Sequence, residues 1–232
     1  MQNTAPTQVL RKALIIMAIE VVVTGAIFFA TAGTIDWVEA WLFLSLFGFM
    51  TLLATFGLAR HNPALLDERT KPMAQDQPLW DKIMMVGIMV LIAIWMIVPG
   101  LDAIRFGWSS VPMWLKIIGA AGFVISYYGM YHTMIENSFL VPNVRFQDER
   151  EQQVVTTGSY AIVRHPFYAM LILLFLFGSL LLGSWLAVAD TGALSIWLAI
   201  RILGEERLLA ADLDGYRDYQ QQTRYRLIPG IW

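Results

Sequence analysis

Cysteine is absent from the 232 residues, which excludes a disulfide framework and any thiolate metal site. Histidine is scarce. His61, His132 and His165 lie far apart and form no spaced pair on one helix, so no metal is assigned. Charge is thin too: Asp, Glu, Lys and Arg make up 15% of the chain, against about 25% in soluble domains. A net charge of -2 supplies no basic surface for nucleic acid, so no nucleic-acid partner is expected. No internal repeat or low-complexity segment stands out.

Apolar residues fill the gap, at 57% of the chain. The predicted fold class is an all-α integral membrane protein, with membrane lipids as its surroundings. A span needs roughly 20 apolar residues. Six candidates fit, at about 13–32, 37–59, 83–99, 112–134, 167–182 and 185–203. Arg11-Lys12 before the first run superficially suggests a signal peptide. The run is longer than a signal core and lacks a small-x-small cleavage site, so it is read as a retained helix. Trp37 and Trp41 suit a membrane interface, and Pro112 suits the first turn of the fourth helix. The apolar stretch from Phe167 to about Leu203 is too long for one crossing. Gly183-Ser184 breaks it into a tight helical hairpin.

Lys and Arg placement sets the predicted orientation. With the N-terminus cytosolic, only Arg105 and Lys116 of the 16 basic residues fall on the opposite side. The loops 60–82 and 135–166 and the tail 204–232 then share the cytosolic face. A short helix is predicted at 63–69. The tail carries Leu208, Leu209, Leu213, Tyr216 and Tyr219 at roughly helical spacing, interrupted by Gly215. This predicts a last span continuing into the cytosol, followed by a short C-terminal amphipathic helix. By organisation, residues 1–134 form an N-terminal four-helix membrane region and 135–232 a C-terminal core, in one structural unit.

The most polar stretch leads into the fifth apolar run. Pro166 disfavours helical geometry at His165 and suits the first helical position itself. Arg164-His165 therefore closes a loop, and the free amides of the new helix make a site for a carboxylate or phosphate. The alternative is that Arg164 snorkels to headgroups while His165 caps the helix. Arg201 and Glu205 are four apart on one face, so an ordinary helix salt pair is one reading. The doubled carboxylate Glu205-Glu206 is more than anchoring needs and can hold an amino group or a ribose. In the preceding loop, Val154-Val155 can form a short extended piece before a turn at Gly158. Glu20 and Asp190 are acids within spans, which by default are functional hypotheses; neither is taken as catalytic, and Asp190-Thr191 can equally mark a kink.

Gly158-x-Tyr160, Arg164-His165-Pro166-x-Tyr168, the hairpin, Glu205-Glu206-x-x-Leu209, Tyr216-x-x-Tyr219 and Arg226-Leu227-Ile228-Pro229 together resemble the isoprenylcysteine carboxyl methyltransferase family and its phospholipid methyltransferase relatives. The resemblance is best over about 135–232, and Asn62-Pro63 also looks like bacterial members. It implies a membrane enzyme that uses S-adenosylmethionine and releases S-adenosylhomocysteine. The cofactor pocket would lie in the 135–232 core, closed by the C-terminal segment, with a lipophilic substrate entering from the bilayer. Carried over residue by residue, the cofactor contacts are Gln147, Gln152, Gln153, Val154, Val155, Tyr160, His165, Pro166, Phe167, Tyr168 and Glu205. Arg201 would orient the substrate carboxylate. O-methylation of a prenylcysteine-like carboxylate then needs no base. N-methylation of a phospholipid headgroup would, with Glu206 or His165 nearest. Two other classes stand beside these: an NADPH-dependent reductase of the sterol reductase type, and a non-enzymatic membrane scaffold. The expected location is a bacterial cytoplasmic membrane with both termini cytosolic.

Overall fold

A computed structural model describes residues 6–71, 77–142, 147 and 150–232. The order is α1 (Pro6–Ala32), α2 (Val38–His61), α3 (Pro63–Arg69), α4 (Leu79–Pro99) running into a π-helical turn (Gly100–Arg105), α5 (Met113–Glu136), a 3-10 turn (Gly158–Ala161), α6 (Pro166–Leu182), α7 (Trp185–Asp212) and α8 (Tyr216–Gln222). There is no strand among the described residues, and the fold is all-α. Among the described residues, five helices are long and apolar enough to cross a membrane: Thr7–Ala32, Val38–His61, Leu79–Arg105, Met113–Glu136 and Trp185–Asp212. The sixth predicted span, α6, is apolar but has only 17 residues. At 1.5 Å per residue it covers about 26 Å, slightly less than a typical hydrocarbon core.

The predicted hairpin forms where expected. Pro166 occupies the first turn of α6, and the helix ends at Gly183 with φ 82°, a left-handed cap that favours glycine. Ser184 then caps α7 by accepting the Ala187 N–H at 3.0 Å. Its hydroxyl also donates to Asp102 at 2.6 Å, tying the hairpin to the π-turn after α4. The α5–α6 pair packs most extensively, because Gly119 lets the backbones touch. A Cβ there would lie 2.6 Å from the Leu181 nitrogen.

Several sequence expectations change in detail. Pro112 precedes α5 as its cap residue instead of entering its first turn. Trp37 is no interface anchor: it is 2% exposed and packs against Phe28 in the main aromatic core. Only Trp41 stays exposed, donating to the Ile35 carbonyl. Asp190-Thr191 lies within the single helix α7, where the Thr191 hydroxyl donates back to the Ala187 carbonyl. Val154 and Val155 lie in irregular backbone. The expected turn at Gly158 forms, with a φ of 61°.

Candidate active site

Three segments from one end of the bundle converge. α3 is anchored there by Asn62, which accepts the Leu65 N–H and donates to the Met134 carbonyl at 2.9 Å. The loop after α5 is braced by its own glutamines. Gln147, 1% exposed, donates to the Phe139 carbonyl, and its backbone N–H donates to Gln152 Oε1 at 2.9 Å. The tail folds back over this loop. Tyr160 packs with Leu213, Tyr216 and Tyr219, and its carbonyl accepts the Tyr219 hydroxyl at 2.7 Å.

Glu206 locks the tail in place. It accepts Arg164 Nε at 2.6 Å and Arg226 Nε at 2.9 Å, and His165 Nε2 lies 3.3 Å away. Arg164 also donates to the carbonyls of Thr223 and Arg224. The backbone N–H groups of Arg164 and His165 donate to Tyr225 and Arg226, each at 2.9 Å. Pro166 ends this ladder because it has no N–H.

Under the tail lies a cavity of about 690 Å³. Gln147, Gln152, Gln153, Val154, Val155, Tyr160, His165, Phe167, Tyr168, Arg201 and Glu205 all line it. Among the predicted site residues, Pro166 and Glu206 do not. Pro166 begins the helix whose neighbours on either side face the cavity. Glu206 is engaged by Arg164 and Arg226 behind the wall. A second set of lining residues comes from the spans: Val23, Thr24, Phe47, Met85, Ile88 and Met96 among them. The cavity therefore has a polar part beneath the tail and an apolar part between the membrane helices.

Arg201 and Glu205 do not form the helix salt pair. Tyr168 stands between them, receiving Arg201 Nη1 at 2.7 Å and donating to Glu205 Oε2 at 2.8 Å. Arg201 also gives Nε to Asp81 at 2.8 Å and Nη2 to the Pro142 carbonyl at 2.6 Å. It is 3% exposed and its charge is met by Asp81. Burial raises the Tyr160 and Tyr216 phenols above their ordinary range and pushes Tyr219 up to about 12, so all three hydroxyls stay protonated donors near neutrality.

Among the lining residues that sequence reasoning did not assign to the site, Tyr216 and Arg69 stand out. Tyr216 was recognised only as motif and as helix pattern. It is 4% exposed, and its hydroxyl has no partner among the described residues. A buried hydroxyl on a cavity wall without a partner costs free energy unless a ligand completes it. Arg69 counted only as a topogenic charge, yet it also lines the cavity. Its position at the end of a capped short helix was the available signal.

The sequence model of the isoprenylcysteine carboxyl methyltransferase (ICMT) family matches residues 120–211. Those residues span α5, the loop, the hairpin and both glutamates. No curated protein matches the chain significantly. Among solved structures, the chain is similar to the eukaryotic intramembrane Ras methyltransferase ICMT (isoprenylcysteine carboxyl methyltransferase), with a TM-score of 0.57 and 20% identity. That match covers 94% of this chain and 77% of the other, and at this identity it speaks for a shared fold. The family match supports a methyltransferase, and the structural match supports an intramembrane fold of the same kind. Over residues 120–211, the chain is thus similar in sequence to the isoprenylcysteine carboxyl methyltransferase family.

Proposed function

We propose that the chain is an S-adenosylmethionine-dependent methyltransferase that O-methylates the carboxylate of a lipophilic, prenylcysteine-like acceptor. One observation carries this reading: a single continuous cavity combines a polar, tail-covered part with an apolar part walled by membrane helices. A water-soluble donor and a bilayer-borne acceptor need such a junction.

The residues fit the donor. Tyr216 offers a buried hydroxyl that lacks a partner, and Glu205 keeps one carboxylate oxygen with no hydrogen bond among the described residues. The free amides at the start of α6, flanked by His165 and Phe167, suit a carboxylate. Tyr160, Phe167 and Tyr168 offer ring faces to a sulfonium, worth on the order of 1–2 kcal/mol in a dry site. Bound there, S-adenosylmethionine supplies a methyl group that passes to an acceptor oxygen and leaves S-adenosylhomocysteine.

The protein's remaining task is positioning and exclusion of water. Tyr168 is fixed by Arg201, which is fixed by Asp81, so Glu205 is held at a set distance from the α6 terminus. A carboxylate acceptor is ionised already and asks for no base. An amine acceptor asks for one, and both nearest candidates are committed: Glu206 to its cations, His165 to Glu206 and to a stack with Tyr168 at 5.7 Å. This favours O-methylation over N-methylation.

The test uses the full chain purified in a neutral maltoside detergent. Calorimetric titration is expected to detect S-adenosylhomocysteine binding that weakens tenfold or more in Glu205→Ala. Labelled methyl transfer to N-acetyl-S-farnesylcysteine, and little to phosphatidylethanolamine, is expected to follow. Absence of S-adenosylhomocysteine binding in the wild type would sink the reading, and NADPH binding in its place would move the chain to the reductase class.

A further inference from the structure

We propose that Asp81 is a positioning residue: by holding Arg201 it keeps the guanidinium off Glu205, so that Arg201 stays with the acceptor and Glu205 with the donor. The inference deepens the methyltransferase reading and rests on it for what the two groups bind. The need for such a device lies in α7 itself. Arg201 and Glu205 stand four residues apart, a spacing at which opposite charges readily pair. A closed pair would satisfy each group with the other and leave neither to a ligand. Instead Arg201 pairs with Asp81, on a different helix.

Asp81 outcompetes Glu205 for the guanidinium by burial and by placement. It is 0% exposed in the first turn of α4, whereas Glu205 is half-buried. Opposite charges attract more strongly where water is excluded. Gln77 Nε2 donates to Oδ2 at 2.6 Å and fixes the carboxylate, while Oδ1 accepts Arg201 Nε at 2.8 Å. Close contacts lock α4 to α7 on either side of this pair. On one side a Cβ on Gly204 would lie 2.7 Å from the Trp80 ring, and on the other Trp197 donates its indole N–H to the Met84 carbonyl at 2.9 Å. Asp81 therefore presents its carboxylate to Arg201 from a fixed wall.

This arrangement leaves both functional groups with capacity to spare. A guanidinium has five N–H hydrogens. Asp81, Tyr168 and the Pro142 carbonyl take one each, from Nε, Nη1 and Nη2. Nη1 and Nη2 each keep a second hydrogen with no partner among the described residues, on a side chain that lines the cavity. Two such hydrogens suit a carboxylate. Glu205 uses one oxygen on the Tyr168 hydroxyl and keeps the other for the donor. The ordinary alternative is that Asp81 only ties α4 to α7.

The experiment is a double-mutant cycle on the full chain in maltoside. Wild type, Asp81→Asn, Arg201→Met and the two changes together are each titrated with S-adenosylhomocysteine and with N-acetyl-S-farnesylcysteine. Asparagine keeps the shape and the oxygen that faces Arg201 and removes the charge, so Arg201 is expected to turn to Glu205. S-adenosylhomocysteine should then weaken about tenfold, the worth of one charged hydrogen bond, and N-acetyl-S-farnesylcysteine should weaken with it. Adding Arg201→Met releases Glu205, so S-adenosylhomocysteine affinity should return to within about twofold of wild type while the farnesylcysteine does not recover. Arg201→Met alone should bring no such gain. A mere tie between helices predicts a double variant that binds no better than Asp81→Asn, and that outcome overturns the proposal. Unchanged S-adenosylhomocysteine affinity in Asp81→Asn overturns it too. Should Asp81→Asn fail to fold, Gln77→Leu loosens the carboxylate without removing it and carries the same comparison, with and without Arg201→Met. A wild type that binds no S-adenosylhomocysteine strikes the methyltransferase reading, and the proposal falls with it; normal wild-type binding without rescue strikes the role of Asp81 only.

Discussion

At the scale of single residues, the two adjacent glutamates have separated roles. Glu205 faces the cavity, while Glu206 gathers Arg164, His165 and Arg226 behind it. Removing one partner of a buried ion pair typically costs about 3–5 kcal/mol, because charges remain without compensation. Glu206→Ala is therefore expected to lower the thermal midpoint in detergent sharply, and Glu205→Ala much less, as read by tryptophan fluorescence. A second contrast concerns Tyr216. Its hydroxyl bonds to nothing among the described residues, so Tyr216→Phe should leave stability within about 0.5 kcal/mol. If that hydroxyl meets the cofactor, S-adenosylhomocysteine affinity should fall about three- to tenfold, the worth of one hydrogen bond. Unchanged affinity would remove Tyr216 from the site.

At the scale of elements, α5 and α6 depend on close backbone approach. A Cβ on Gly119 would meet the nitrogen of Leu181 and the carbonyl of Phe177, atoms that cannot rotate away. Gly192 in α7 has open space around it. Gly119→Ala is expected to destabilise by about 1–3 kcal/mol through forced backbone shifts, whereas Gly192→Ala should be neutral or mildly stabilising. Equal melting midpoints for the two variants would contradict this packing account. Because α5 leads into the Gln147 loop and α6 begins the His165–Tyr168 wall, the same contact sets the cavity's width. A small loss of cofactor affinity in Gly119→Ala is the functional counterpart.

At the scale of the whole molecule, the tail closes the cavity through tyrosines as well as ions. Tyr160, Tyr216 and Tyr219 all have folded-state pKa values above the ordinary tyrosine value, first of all through burial. A raised pKa means the folded state holds the proton more tightly. The tail's stability is then fully present below about pH 10 and is lost as pH rises through the folded values, near about 12 for Tyr219. Alkaline titration followed by tyrosinate absorbance should show release of the tail in that window, together with loss of ligand binding. Most of the architecture was legible beforehand, because each rule was local. Long apolar runs must become helices in lipid, Pro166 must start one, and Gly183-Ser184 must turn the chain. The motif also brought most of the cavity wall to notice, from Gln147 to Glu205. Partner choice stayed hidden. Nothing in the spacing of Arg201 and Glu205 foretells that Tyr168 stands between them and that Asp81, 120 residues away in sequence, takes the guanidinium. Nor does any local pattern separate Glu205 from Glu206, since one step along a helix turns a side chain by about 100° and the packing of other segments decides which direction is cavity. Local sequence was enough for the helices, their breaks and the end of the bundle where charge collects. Which charges neutralise one another follows from the packed fold alone, because it depends on contacts between segments far apart in the chain.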